Sequence, residues 1–402
     1  MEYDYIIIGA GISGLYTAYN IKKNNPNTKF IILEKNSKKY IGGRMNVYNF
    51  YGSYVNIGAG VGRKKKDFLL INLLKDLKIK YNEGILNVNY HQNVNKIDVI
   101  NILKELKKEY SNKYKNFTFK KFALEILGKD KYNNFITYLG YTDYECEDAY
   151  ETINFYGLED NIGGWTNLNI KWNELINKLY DKVNHDNIKF NKNIISIDRG
   201  NDKYSVITDK NKTYFGNKVI IASTINTVQK LLPKQEIYKQ IHGQPFMRAY
   251  GKFDKTSSEI IRNIIKGYTI VNGPLKKIIS INPDEGIYMI SYTDNAGAKY
   301  FKDNTENNET NRIFFCNEIE KTLDLSKNSL KLIGIKTFYW EIGTHYYEPL
   351  SKEYNSRIEF IKKAQNPMKN IFVVGEMISR NQGWTQGALE SVDEIINKIL
   401  LL

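Results

Sequence analysis

Asp4-Tyr5-Ile6-Ile7-Ile8-Gly9-Ala10-Gly11-Ile12-Ser13-Gly14-Leu15-Tyr16-Thr17-Ala18-Tyr19 is the stretch whose reading decides the fold. A short apolar strand, Tyr5 to Ile8, runs into Gly9-x-Gly11-x-x-Gly14, and a helical pattern opens at Ile12 and Ser13. Gly9 permits the tight turn, Gly11 lets a pyrophosphate approach bare backbone, and Gly14 lets helix and strand pack closely. The helix start offers free N–H groups to phosphate. A second strand, Lys29 to Leu33, ends at Glu34 with Lys35 beside it. That distance places a carboxylate where the ribose hydroxyls of an adenosine would lie, and disfavours a 2′-phosphate. Strand, glycines, helix and acid together predict a dinucleotide site.

The chain has 402 residues, room for about two or three domains. Its apolar content of 42% supports a large core. Cys146 and Cys316 are the two cysteines, too few for a disulfide framework, so a reducing, cytoplasmic setting is expected. No leader or spanning segment is read. The formal charge of +14 comes with lysines scattered among Asn, Ile and Tyr, and the tightest cluster is Arg63-Lys64-Lys65-Lys66. No nucleic-acid module accompanies that charge, so nucleic acid is not expected as a partner. No metal-ligand cluster is read, and the oligomeric state is left open.

Outward from the opening motif, Ile41-Gly42-Gly43-Arg44 suits a loop pressed on a ligand, with the guanidinium reaching phosphate. Gly58-Ala59-Gly60 again suggests backbone close to a ligand. From about Asp67 to Tyr156 the periodicity predicts helices. That region contains an acidic patch, Asp143 to Glu151, which reads as a solvated helix face or as a rim attracting cations. A helix is predicted over Trp172 to Val183, then strands at Ile188 to Ile197, Ser205 to Thr208 and Lys218 to Ala222. Strands follow at Phe246 to Phe253, Tyr268 to Val271, Lys277 to Ile281, Gly286 to Tyr292 and Leu332 to Glu341, with one helix at Arg312 to Leu323. The end repeats the logic of the beginning. Strand Ile371 to Val374 leads into Gly375-Glu376, then Gly383-Trp384-Thr385-Gln386-Gly387-Ala388 and a helix whose start can face the same cofactor.

These blocks together resemble the flavin-containing amine oxidoreductases, which include monoamine, polyamine and L-amino-acid oxidases. The resemblance runs end to end. The phrases Gln244 to Phe253 and Tyr288 to Asn295 look like a divergent branch seen in algae and large DNA viruses. It implies an α/β fold: a Rossmann-like, glutathione-reductase-type FAD domain from residues 1–66, 161–243 and 350–402, with an inserted α+β substrate domain from 67–160 and 244–349.

The resemblance also implies roles. Glu34 would hold the adenosine ribose, Gly43 and Arg44 the pyrophosphate, Glu376 the ribityl region, and Ile195 the adenine. Trp384 would form one wall of an aromatic cage and Tyr346 or Tyr347 the other, steering an amine by shape and cation–π attraction. His345 is the histidine with a candidate site role. Two departures stand out. The position where many members carry a lysine near flavin N5 is Arg248, a poor proton shuttle, which questions oxygen activation. The aromatic strand end carries no cysteine, so FAD is expected to be non-covalent. The expected reaction is oxidation of an amine (polyamine, monoamine or amino acid), with molecular oxygen as acceptor. The alternatives are a flavin enzyme acting on a non-amine substrate as oxidase, desaturase or isomerase, or a flavoprotein of reduced activity that binds partners.

Overall fold

The computed structural model describes residues 2–401. Strand Glu2–Ile8 lies inside a seven-stranded sheet, parallel to Phe30–Leu33 on one side and Thr213–Ile221 on the other. Its apolar run does not alternate because both faces are covered. Tyr5 and Ile7 enter a core with helices Ile12–Asn24 and Trp172–Val183, while Ile6 and Ile8 enter a second core against helix Ile225–Leu231. Strand Thr213–Ile221 changes partners along its length. Its first half pairs antiparallel with Tyr204–Thr208, and its end pairs parallel with Ile371–Val373. The sheet is therefore completed by a strand from near the far end of the chain.

The strand expected over Ile188 to Ile197 is two strands. Ile188–Lys189 pairs with the Phe30–Leu33 strand, whereas Ile194–Arg199 joins the opposite edge. Asn191, at a φ of 55°, turns the chain between them.

A second sheet has six strands, in the order Leu332–Tyr347, Ile241–Phe253, Ile287–Asp294, Lys277–Asn282, Tyr268–Ile270 and Val88–Tyr90. Its last strand comes from the region expected to be helical. Helix Phe68–Asp76 stops early, and Tyr81–Ile85 and Val88–Tyr90 are extended. Tyr81, Ile85, Val88 and Tyr90 favour extended backbone once a partner edge is present, here Thr166–Ile170 for the first strand and Tyr268–Ile270 for the second. Helices Val99–Glu109 and Phe119–Leu139 then build a core of their own around Leu106, Phe119, Phe122 and Phe135. Helix Lys255–Ile264, capped by Asp254, adds to the expected set. No helix among the described residues is long and apolar enough to cross a membrane.

A buried ion pair ties the helical insert to the returning chain. Asp148 meets Arg357 at 3.2 Å, both almost inaccessible, and accepts from the N–H groups of Tyr150, Glu151 and Leu350. Removing one partner strands a buried charge. Asp148→Ala is therefore expected to cost about 3–5 kcal/mol, read as a lower denaturant midpoint, with a smaller loss in the double variant Asp148→Leu/Arg357→Met.

Candidate active site

The glycines of the opening motif divide into two kinds. A side-chain carbon on Gly9, at a φ of 108°, would overlap the carbonyl oxygen of Ala222, and one on Gly14 would overlap that of Gly9. Both are demanded by the protein's own packing. A carbon on Gly11 or Gly43 would meet no protein atom within 4 Å. Those two backbones face open space, as a ligand cradle requires. Gly11 and Gly42 are bridged, with the Gly42 N–H on the carbonyl of Ala10, so the first and second glycine blocks form one surface. Beneath it, the Glu34 carboxylate accepts from the Ala10 N–H at 2.8 Å and the Asn36 N–H at 2.8 Å.

A second helix start completes the cradle. Helix Thr385–Asp393 begins at Trp384 and lies against helix Ile12–Asn24, where the Ser13 hydroxyl reaches the carbonyl of Ala388 at 3.3 Å. Neither helix has a capping side chain, so both present unsatisfied N–H groups. Between them, the buried carboxylate of Glu376 takes Arg44 at 2.8 Å, the Gly383 N–H at 3.0 Å and Nδ1 of His345. Burial alone would raise its pKa; His345, Arg44 and the Gly383 N–H more than offset that and hold it well below the usual carboxylate range. The Nε2 of His345 accepts the Ile225 N–H at 3.2 Å, which leaves Nδ1 as the nitrogen that donates to Glu376. The Gly58 block is pinned by Trp340, whose indole donates to the Ile57 carbonyl at 2.8 Å, and by the Ala59 N–H on the Arg44 carbonyl.

Beside Glu376 lies a cavity of about 20 Å³, lined among others by Trp384, Tyr346, His345, Gln244, Asp143 and Glu147. Arg380 also lines it, paired with Glu151 at 3.3 Å. The acidic patch is thus not a solvated face: Asp143, Glu147, Asp148 and Glu151 are all buried. Tyr156 donates to Asp143 at 2.6 Å, and Thr152 to Glu147 at 2.9 Å. Burial, with the nearby Asp294, pushes Asp143 up to about 7; burial pushes Glu147 up to about 8. Trp384 carries a cation on one face. The Arg63 guanidinium sits 3.8 Å from its ring centroid, locked by Asp67 at 2.8 Å, while Trp165 meets Trp384 edge-on at 6.4 Å.

Residues 96–392 match the family model for flavin containing amine oxidoreductase, nearly three-quarters of the chain. The chain belongs to that family. Residues 7–67 also match a model for an NAD(P)-binding Rossmann-like domain. Among curated proteins, an uncharacterized protein of Acanthamoeba polyphaga mimivirus is 21% identical over 99% of this chain and 94% of its own length. Among solved structures, a putrescine oxidase double mutant superposes with a TM-score of 0.78 at 12% identity, over 100% of both chains. Cyclohexylamine oxidase from Brevibacterium oxydans gives 0.77 at 14%, over 100% and 99%. The protein is thus an amine oxidase-like, FAD-dependent oxidoreductase, and the open glycine surfaces and uncapped helix starts fit a flavin dinucleotide.

Within this amine oxidoreductase most of the expected site residues fall into two groups. Gly9, Gly11, Ile12, Ser13, Gly14, Glu34, Gly42, Gly43, Arg44, Gly58, Ala59, Gly60, Gly375, Glu376, Gly383, Thr385 and Ala388 lie on or directly behind the cradle. Trp384, Tyr346 and His345 line the cavity. Tyr347 is the exception: its ring packs on Phe360 and Arg357, and its hydroxyl bonds the Ser379 carbonyl, so it is a core residue and no cage wall. The alternation of a strand puts neighbours on opposite faces. Lys35 is exposed, and Ile195 sits at 37% exposure where the register of strand Ile194–Arg199 shifts. Arg380, Gln244 and Arg63 were not expected at the site, and for Asp143 and Glu147 it is the rim reading of the acidic patch, not the solvated one, that agrees with their place in the cavity wall. For Arg63 the lysines beside it masked the signal, and for the acids their charge argued for solvent.

Two outcomes follow from this geometry. Gly11→Val is expected to leave the fold intact and weaken FAD binding at least tenfold, whereas Gly14→Val should prevent folding; circular dichroism and FAD titration separate the two. For Glu147, a carboxyl protonated in the fold but not in the unfolded chain binds more protons when native between its ordinary value near 4.5 and about 8. Its contribution to stability therefore falls as pH rises across that window. Glu147→Gln should flatten the decline, raising the melting temperature above wild type at pH 8 and little at pH 5.

Proposed function

We propose that this enzyme oxidises a small amine, with non-covalently held FAD as the first electron acceptor and molecular oxygen as the second. The observation that carries this reading is the meeting of two uncapped helix starts and two ligand-open glycines beside a cavity walled by Trp384 and Tyr346. When bound, FAD supplies the chemistry by accepting hydride from the carbon next to nitrogen and passing the electrons on to oxygen.

The chain's own residues bind, orient and exclude water. Gly11, Gly43 and the helix starts suit the diphosphate, Glu34 the adenosine ribose, with Ile195 towards the adenine. Arg44 bears on the diphosphate and Glu376 on the ribityl region, each holding the other when no ligand intervenes. Trp384 is fixed in one orientation by the Arg63–Asp67 pair behind it, so a substrate meets a rigid wall rather than a mobile ring. His345 keeps a proton on Nδ1 for Glu376 and leaves Nε2 occupied by the Ile225 N–H, which makes it an orienting group rather than a base. Asp143, pushed up to about 7 by burial and the nearby Asp294, is a group able to take up a proton from an incoming ammonium, while the protonated Glu147 can only donate. The cavity is small, and Asp143, Glu147, Gln244 and His345 in its wall are buried.

The test begins with the absorption spectrum of the purified protein and anaerobic mixing with a panel of amines. Bleaching of the flavin band, reversed by air with release of peroxide, is the expected result. An unbleached flavin would point to a non-amine substrate, and absence of flavin would overturn the reading. Acid precipitation should release FAD into the supernatant. Trp384→Ala should lower kcat/KM at least tenfold while FAD remains bound.

A further inference from the structure

Arg248 is a buried charge for which the fold supplies no counter-ion. It is 6% exposed, on strand Ile241–Phe253, and forms no ion pair with any described residue. Its guanidinium lies 4.3 Å from the Tyr292 ring centroid, and Tyr250, on the same strand, donates its hydroxyl to the Asn56 carbonyl at 2.6 Å. The comparison within the same chain is direct. Arg63, at 4% exposure, has Asp67 and Asp160, and Arg357, at 2%, has Asp148.

The groups around Arg248 do not compensate it. Phe338 stands opposite on strand Leu332–Tyr347, and Tyr292 on strand Ile287–Asp294. Lys277 lies 4.8 Å from the same Tyr292 ring, its amine on the carbonyls of Gly140 and Tyr292. Asp294 is turned away into the N–H and hydroxyl of Thr142, and Asp143 into Tyr156. An isolated buried guanidinium is costly, and it cannot escape the cost by losing its proton. One Nη lies 3.0 Å from where a side-chain carbon on Gly60 would be, so the charge faces the glycine block of the cradle.

We propose that Arg248 binds an anion carried by the substrate, a carboxylate beside the amine, so that the substrate is amino-acid-like rather than a polyamine. The proposal rests on the amine-oxidising reading above and narrows it. A planar guanidinium matches a carboxylate in two parallel hydrogen bonds, whereas a second ammonium placed there would be repelled. The net charge of +14 favours approach of an anion from a distance. Arg380, which lines the cavity beside Trp384 and pairs with Glu151, keeps an Nε with no partner.

The experiment compares matched pairs on the holoenzyme: phenylalanine with phenethylamine, and lysine with cadaverine. Benzoate serves as a non-reacting carboxylate probe, read by the shift it causes in the flavin absorption band. In wild type the carboxylate-bearing member of at least one pair should have the higher kcat/KM, by roughly tenfold to a hundredfold, and benzoate should shift the band. Arg248→Met should abolish both effects and Arg248→Lys restore part of the benzoate affinity. Should Arg248→Met not fold, the lysine variant and the wild-type titration decide the matter. Equal or faster oxidation of the decarboxylated amines overturns the proposal, and so does benzoate binding that is absent or indifferent to Arg248→Met. If no amine or amino acid bleaches the flavin, the amine reading fails on its own, while Arg248-dependent benzoate binding still upholds the anion site.

Discussion

One buried carboxylate holds three parts of this molecule together. Glu376 receives Arg44 from the early glycine loop, His345 from the long strand of the second sheet, and the Gly383 N–H from its own loop. Each of these partners is a donor, and the carboxylate is acceptor-only when ionised, so the arrangement works with the charge present and fails without it. The segments that would cradle the dinucleotide and the segment that walls the cavity are thus fixed by the same oxygen atoms. His345 passes the constraint on to the Ile225 N–H, at the start of the helix that follows the central strand pair. Position and electrostatics are shared across the site for this reason: a shift of the second sheet is felt at the nucleotide loops.

The cradle was legible in the sequence because each of its glycines answers a local steric demand. Gly9 and Gly14 are required wherever a strand, a turn and a helix meet at this distance, whereas a side-chain carbon on Gly11 would meet no protein atom. Local rules therefore recover the fold of the opening unit. Helix Trp172–Val183 and the paired strands of the second sheet were legible by period alone. Helix Lys255–Ile264 carried its signal too, in Asp254 as a cap and in Ile260, Ile261 and Ile264 at helical spacing, but the segment sits among strands and its polar residues hid it.

Other features depended on partners remote in sequence. Val88–Tyr90 is a strand because Tyr268–Ile270 offers an edge, which no local pattern announces. The acids from Asp143 to Glu151 are inside because Tyr156, Thr152, Arg357 and Arg380 meet them there, from segments up to more than two hundred residues away. A charge run reads as solvent-facing unless its compensating groups are known. The same lack of remote information concealed that Arg63 is a buried support for Trp384 rather than one of four surface cations, and that Tyr347 turns from the cavity into the core.

The sheet closed by Ile371–Val373 has a consequence for how the protein comes into being. The strand that begins the sheet ends at Ile8, and Phe30–Leu33 joins it within the same short segment, but the last partner of strand Thr213–Ile221 is more than three hundred residues behind them. At typical rates of chain synthesis that interval is on the order of 20–70 s. In the latter part of it, once Thr213–Ile221 has been made, that strand waits for its parallel neighbour, while the helical segments and the second sheet are free to form around their own cores. The sheet beneath the glycine loops is thus completed only after the helical segments and the second sheet have been synthesised.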